Sequence, residues 1–260
     1  MGAAFAAAAS LLGDAAGRHA RRQGRRALTQ AVIPWAAMKP KDEPREYSSP
    51  ACYMHEFETA PQPHSWEEIK RWRKARRDEI IARRAARDAT ERQALSRPVA
   101  QYLFDTINAS AYPVIGIYWP IRGEIDLREL ARRHVAAGGV VGLPVVVQKA
   151  APVEFWRWQQ GVALKKGLWN IPIPPERQVV EPSLLVVPLV GFDRALYRLG
   201  YGGGFYDRTL AAARPRPRTI GVALADAELP TIYPQPHDIP MDVILTNEFT
   251  LTGAEPARSP

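Results

Sequence analysis

Apolar residues in the second half of the chain fall into short, near-continuous runs rather than one extended alternation. Val114 to Tyr118, Val140 to Val147, Val153 to Trp158, Leu184 to Val187, Thr219 to Leu224 and Val243 to Thr246 each have the length and the Val/Ile/Leu content of a buried strand. Helical patterns lie between several of them. Asp126-Leu-Arg-Glu129 has the form of a capping box opening a helix, which Gly138 and Gly139 can end through a positive-φ cap. Phe205 to Ala213 reads as another helix. Upstream, Ser65-Trp-Glu-Glu68 is a second capping box. It predicts a helix running to about Leu95, ahead of Pro98, with Trp66, Ile69, Ile80 and Ile81 among its few apolar positions. A further helix is expected from Val99 to Ile107.

Strands buried on both faces and alternating with helices predict an α/β fold. Its sheet should be largely parallel with helices on both faces, a Rossmann-like three-layer sandwich. The domain expected to fold this way is 65–250, preceded by a poorly ordered extension, 1–64, and followed by a tail, 251–260. Residues 1 to 37 are rich in Ala and Arg, a composition shared with organelle transit peptides. Met38 begins a different composition, so an upstream extension or unstructured tail is the plainer reading of those 37 residues. A reducing, cytoplasmic setting is expected, with an organellar one as the alternative if the first segment is a targeting sequence.

Charge narrows the partners. The formal net charge is +8, but Lys and Arg outnumber Asp and Glu by 19 to 12 through Arg97 and only by 16 to 15 beyond it. A basic groove across the whole fold is therefore not expected, and neither is a nucleic acid as main partner. The Arg-rich segment from Arg71 to Arg97 is what would support that alternative. Cys52 is the only cysteine, which excludes an intrachain disulfide framework and any multi-cysteine metal site. The spacing of Cys52, His55 and His64 matches no metal motif. No apolar stretch approaches the ~20 residues that span a bilayer, so no membrane partner is expected, and a monomer is.

The chemistry centres on the run from Arg198 through Leu199, Gly200, Tyr201, Gly202, Gly203, Gly204, Phe205 and Tyr206 to Asp207. It follows a strand and precedes a helix, where open α/β sheets place their ligands. Without Cβ atoms, consecutive glycines let backbone N–H groups turn toward an anion that approaches closely, and the next helix adds its dipole. No Lys-Ser/Thr follows the glycines, so this is not a Walker A loop, and the spacing is not Gly-x-Gly-x-x-Gly. Arg198 is suited to a bidentate phosphate contact, and Asp207 to Mg²⁺.

The stretch from Val187-Pro188 through Gly191-Phe-Asp193 and Arg198 to Asp207-Arg208 resembles the signature of the 5-formyltetrahydrofolate cyclo-ligase family. Other segments are similar to that family in the same order. They are Tyr118-Trp-Pro-Ile-Arg-Gly-Glu124-Ile-Asp126, Phe155 to Gly161, Trp169 to Pro172, His237-Asp238 and Met241 to Thr246. Trp72-Arg-Lys74 with Arg77 is similar to its basic first helix. The resemblance covers roughly 65–250.

It implies an enzyme that uses ATP and Mg²⁺ to convert 5-formyltetrahydrofolate into 5,10-methenyltetrahydrofolate through a phosphorylated formyl group. Carried over residue by residue, it implies that Lys74, Arg77 and the run from Arg198 to Tyr206 bind ATP. Trp119, Glu124 and the run from Tyr201 to Tyr206 would contact the reduced folate. Asp207 and Asp238 would hold Mg²⁺, and Arg198, Tyr206 and Asp207 would act in catalysis. Plainer readings stand beside these. Lys74 lies in a charge run that could be a solvated helix face, Glu124 could favour a helix N-terminus, and His237 could orient a loop. Leu196 stands where the family usually has Gly, Ile173 where it often has Glu, and no Gln follows Ala223-Leu224. A divergent relative that binds folate or nucleotide without cyclising is the alternative these departures suggest.

Overall fold

A computed structural model describes residues 65–107 and 109–253; the extension, Cys52, His55, His64 and the last residues of the chain lie outside them. The Ser65 box forms as expected, with Ser65 Oγ accepting from the Glu68 N–H and the Glu68 carboxylate accepting from the Ser65 N–H. Helix α1 spans Trp66–Ala86, shorter than expected. Asp88 caps a new helix, α2, Ala89–Thr106, by accepting from the Glu91 N–H at 2.8 Å. Pro98 does not separate two helices; it lies inside α2. A side-chain cap at Asp88 sets the break, and the proline removes one ladder bond without ending the helix.

The remaining elements are β1 (Val114–Gly116), α3 (Arg128–Ala136), β2 (Val140–Val145), β3 (Glu154–Trp158), β4 (Lys165–Lys166), β5 (Pro172–Ile173) and β6 (Val179–Val180). Then come β7 (Leu184–Pro188), β8 (Gly191–Phe192), β9 (Arg198–Leu199), α4 (Phe205–Ala212), β10 (Arg218–Val222), β11 (Val243–Leu245) and β12 (Thr250–Thr252). The second capping box does not form. Asp126 instead accepts from the Arg128 N–H and grips the Arg128 guanidinium, so α3 starts at Arg128 with Leu127 at the N-cap position and no side-chain cap. Gly138, at φ +89°, ends it as expected.

Eight strands make one sheet in the order β12-β11-β10-β7-β1-β2-β3-β6. The five strands β11, β10, β7, β1 and β2 are parallel, and β12, β3 and β6 add antiparallel edges. Thr252 pairs with Val243, so the sheet runs past residue 250.

Successive residues of the parallel strands serve opposite faces, which is why they read as continuous apolar runs. Leu184, Val186, Ile220, Val222, Val141 and Leu143 pack with Val99 and Leu103 of α2 and Leu130 of α3. Leu185, Val187 and Ile244 pack on the other side with Ile80 of α1 and Leu210 of α4. Helices cover both faces. Strand order reverses around β1, and a crevice at such a switch point, beyond the carboxyl ends of the strands, is where ligands sit.

Candidate active site

Two loops leave the carboxyl ends of adjacent strands at this switch point. One follows β1 and carries Trp119 to Glu124; the other follows β7 and returns through β9 into the glycine run. Gly202 at φ +94° and Gly204 at φ +62° supply the left-handed turns that bring the run into α4, with Gly204 as the helix N-cap. None of the backbone N–H groups from Tyr201 to Gly204 is taken by an acceptor among the described residues. Open donors at a helix N-terminus are the arrangement that an anion cradle, the expectation from sequence, would use.

Helix α1 lies under this cradle and offers it arginines at one-face spacing. Arg77 Nε donates to the Gly200 carbonyl at 2.6 Å, with its guanidinium beneath Gly202. Burial and the neighbouring Arg73 both lower the Arg77 pKa, against a smaller opposing pull from Asp78. Arg73 reaches the loop after β10: its Nη2 donates to Asp238 Oδ2 at 2.6 Å, and it also holds the Ile232 and Tyr233 carbonyls. Lys74 is not brought to the cradle. Its ammonium is exposed and pairs with Asp78 at 2.7 Å, one turn along the same helix.

Arg198 departs from the bidentate phosphate arm expected of it. Its side chain is buried, with Nη1 donating to the Ile239 carbonyl at 2.7 Å and Nη2 paired to Asp207. Burial lowers its pKa, while Asp207 opposes that shift. Leu199 is buried in β9 and contributes its backbone to the loop rather than its side chain. Phe205 stacks edge-on with Trp169 at 5.7 Å, under the Arg208 guanidinium. The Tyr206 hydroxyl is buried and unpartnered among the described residues, and burial followed by the charge of Glu124 pushes its pKa up.

On the other loop, Trp119 packs on Trp158 with centroids 6.3 Å apart. Glu124 is buried, so it does not serve as a solvated charge near a helix end. Its Oε2 accepts from the Ile121 N–H at 2.9 Å and its Oε1 from the Tyr201 hydroxyl at 2.8 Å. A hollow of about 1230 Å³ opens between α2 and this loop, lined by Trp119 and Glu124 and by several arginines, among them Arg97 and Arg122.

Sequence reasoning did not single out Arg84 or Arg73. Arg84 is buried on α1 and donates to the Arg122 carbonyl at 3.0 Å and the Tyr201 hydroxyl at 2.6 Å. The spacing Arg73, Arg77, Arg84 is i, i+4, i+11, one helical face, and would have identified both.

Asp207, on the first turn of α4, is partly exposed beside the cradle and suits Mg²⁺, which takes one or two carboxylates and fills its shell with water and phosphate. Asp238 gives its Oδ2 to Arg73 and to the Gln235 N–H at 2.7 Å, which leaves Oδ1 as the oxygen it could offer a metal. No cluster of three metal-ligating side chains occurs among the described residues.

Residues 69–247 match the model of the 5-formyltetrahydrofolate cyclo-ligase family. The chain belongs to that family. Among cyclo-ligase relatives, the one from Mycolicibacterium smegmatis is 35% identical over 137 residues, 50% of this chain and 71% of that protein. The Escherichia coli 5-formyltetrahydrofolate cyclo-ligase is 29% identical over 175 residues, 64% of this chain and 96% of its own length. The solved 5,10-methenyltetrahydrofolate synthetase of Aquifex aeolicus superposes with a TM-score of 0.61 at 28% identity, covering 72% of this chain and 95% of that one. The synthetase of Mycoplasma pneumoniae shares the fold, with a TM-score of 0.55 at 23% identity.

As a cyclo-ligase the chain is an enzyme that forms a ring by ligation, and two of its departures from the family pattern prove to be core residues. Leu196 is buried among Val190, Phe192 and Phe249, in a left-handed backbone conformation at φ +67°. Ile173 is buried with Val145 and Trp156. Among the described residues, no helix is long and apolar enough to cross a membrane.

Proposed function

We propose that this cyclo-ligase closes 5-formyltetrahydrofolate to 5,10-methenyltetrahydrofolate at the expense of ATP. One observation carries the reading: the hydroxyl of Tyr201, within the glycine run, is hydrogen-bonded to Glu124, so the phosphate cradle and the folate loop share one wall. A formyl oxygen held by one loop then lies beside a γ-phosphate held by the other.

The formyl oxygen is a poor leaving group. Its attack on the γ-phosphorus expels ADP and gives an imidate phosphate; nitrogen 10 then attacks the activated carbon, loses its proton, and phosphate departs with the former formyl oxygen. Because no enzyme nucleophile is needed, the protein supplies position and charge. The free N–H groups from Tyr201 to Gly204 would bind the polyphosphate, with Arg77 close beneath. Lys74, exposed one position from Arg73, would meet only the outer part of a nucleotide. Asp207 would hold Mg²⁺, which would neutralise charge building on the phosphates. Arg198 orients Asp207, and Asp238, through Arg73, anchors the loop that carries Ile239.

Glu124 would take the pterin N–H groups, Trp119 would stack along the ring, and the unpartnered Tyr206 hydroxyl would donate to the substrate. The arginines around the hollow suit the two carboxylates of the folate's glutamate. The test is an absorbance assay. The purified protein with MgATP and 5-formyltetrahydrofolate should build up the near-ultraviolet band of the methenyl product, and its absence from a folded preparation would overturn the reading. Binding of both substrates without product would favour the divergent, non-cyclising alternative.

A further inference from the structure

We infer that Tyr201 is a positioning residue for the reduced-folate site. Its hydroxyl, oriented by Arg84, fixes the Glu124 carboxylate as the acceptor for the pterin N–H groups. The inference rests on the reading of Glu124 given above.

A guanidinium carries only donors. The Tyr201 oxygen accepts from Arg84 Nη2 at 2.6 Å, so its single proton is left to point at Glu124 Oε1, 2.8 Å away. The order of donation is therefore fixed, from Arg84 to Tyr201 to Glu124. Arg84 is itself immobilised by the Arg122 carbonyl, and its Nη2 lies 4.0 Å from Glu124 Oε1. With Oε2 tied to the Ile121 N–H, the carboxylate cannot rotate, and its remaining lone pairs have set directions.

The relay also favours the ionised form of a buried carboxyl. Burial raises the Glu124 pKa; the Ile121 N–H, Arg84, the Tyr201 hydroxyl and Arg122 oppose that rise without cancelling it. Tyr118, just beyond β1, and Tyr206 on α4 feel the same carboxylate: burial first, and then its charge, raises the pKa of both phenols. Only the ionised form offers acceptors alone, which is what pterin N–H donors require.

Tyr201→Phe removes the hydroxyl and keeps the ring, over which the Arg122 guanidinium sits at 5.6 Å. Binding of 5-formyltetrahydrofolate, followed by calorimetry from pH 5 to 8, should weaken about tenfold at neutral pH, as for one lost hydrogen bond to a charged group. The pH at which binding is lost on acidification should move upward, because the carboxyl is then easier to protonate. In a Glu124→Gln background the same substitution should have little further effect. Wild-type affinity and pH dependence in Tyr201→Phe would overturn the inference and leave the proposed activity standing. A wild-type protein that shows this relay-dependent binding but forms no methenyl product would do the reverse. Absence of folate binding by the wild type would sink both.

Discussion

Arg198 and Asp207 form an ion pair across the base of the glycine run, with the guanidinium buried and the carboxylate partly open to the cradle. The arginine thus presents the carboxylate rather than itself. Asp207 also accepts from the Ile239 N–H at 3.1 Å, so a single side chain joins the start of α4 to the segment before β11.

Replacing Asp207 by Asn keeps the shape but removes the charge that would hold Mg²⁺. Turnover should fall at least ~100-fold, on the scale of losing an electrostatic stabiliser. Stability should fall by about 1 kcal/mol, because a charged hydrogen bond becomes a neutral one. Near-normal turnover at saturating Mg²⁺ in a folded variant would remove the metal role.

Lys74 and Arg77 were equivalent readings in sequence and are not equivalent in space. Arg77 supports the Gly200 carbonyl from within the fold, whereas the Lys74 pair with Asp78 is exposed, and such pairs contribute little. Arg77→Ala should raise the KM for ATP about tenfold or more, and Lys74→Ala less than about threefold. Steady-state kinetics with ATP varied will separate them; equal effects would mean that ATP does not distinguish the buried face of the helix from the exposed one.

The parallel strands and the glycine run were legible because their signals are local: an unbroken apolar run needs only its own residues, and the glycine cluster is set apart from an ordinary flexible turn by its immediate flanks, Arg198 before it and Tyr206-Asp207-Arg208 after it. The break at Asp88 and the uncapped start of α3 were missed for a shared reason. A side-chain cap depends on which of several candidate oxygens the backbone meets, and Asp126 preferred Arg128. The inward turn of Arg198 and the partners of Arg84 were not legible, since each depends on residues more than thirty positions away.

His134 gives the fold a dependence on pH separate from the site. It is buried on α3 against Gly139, with Nε2 unpartnered among the described residues. Burial lowers its pKa, opposed by a hydrogen bond to the Pro113 carbonyl. A lowered folded-state value means that the unfolded chain takes the proton first. The stabilising effect of neutral His134 is then complete above about pH 6.5 and is lost as pH falls below it. Urea denaturation at pH 7.5 and 5.5 should show a larger loss for the wild type than for His134→Gln. Parallel losses would mean that the imidazole titrates normally.

Leu196 stands where the family usually has glycine, and its φ of +67° shows why glycine is common at that turn. The Leu196 N–H donates to the Asp193 carbonyl while the Asp193 carboxylate takes the Ala195 and Tyr197 N–H groups, so the turn is pinned whichever residue occupies it. A left-handed non-glycine residue costs about 1–2 kcal/mol. Removing a buried leucine side chain costs about 2–5 kcal/mol. The second term is larger, so restoring the family residue should destabilise this chain. Leu196→Gly is expected to lose about 1–3 kcal/mol in urea denaturation. Leu196→Ala, which keeps the strain and still empties the site, should lose about 1 kcal/mol more than the glycine variant. If Leu196→Gly proves more stable than wild type, the strain outweighs the packing and the leucine is a liability at this turn; if Leu196→Ala is the more stable of the two variants, the backbone strain itself is disproved.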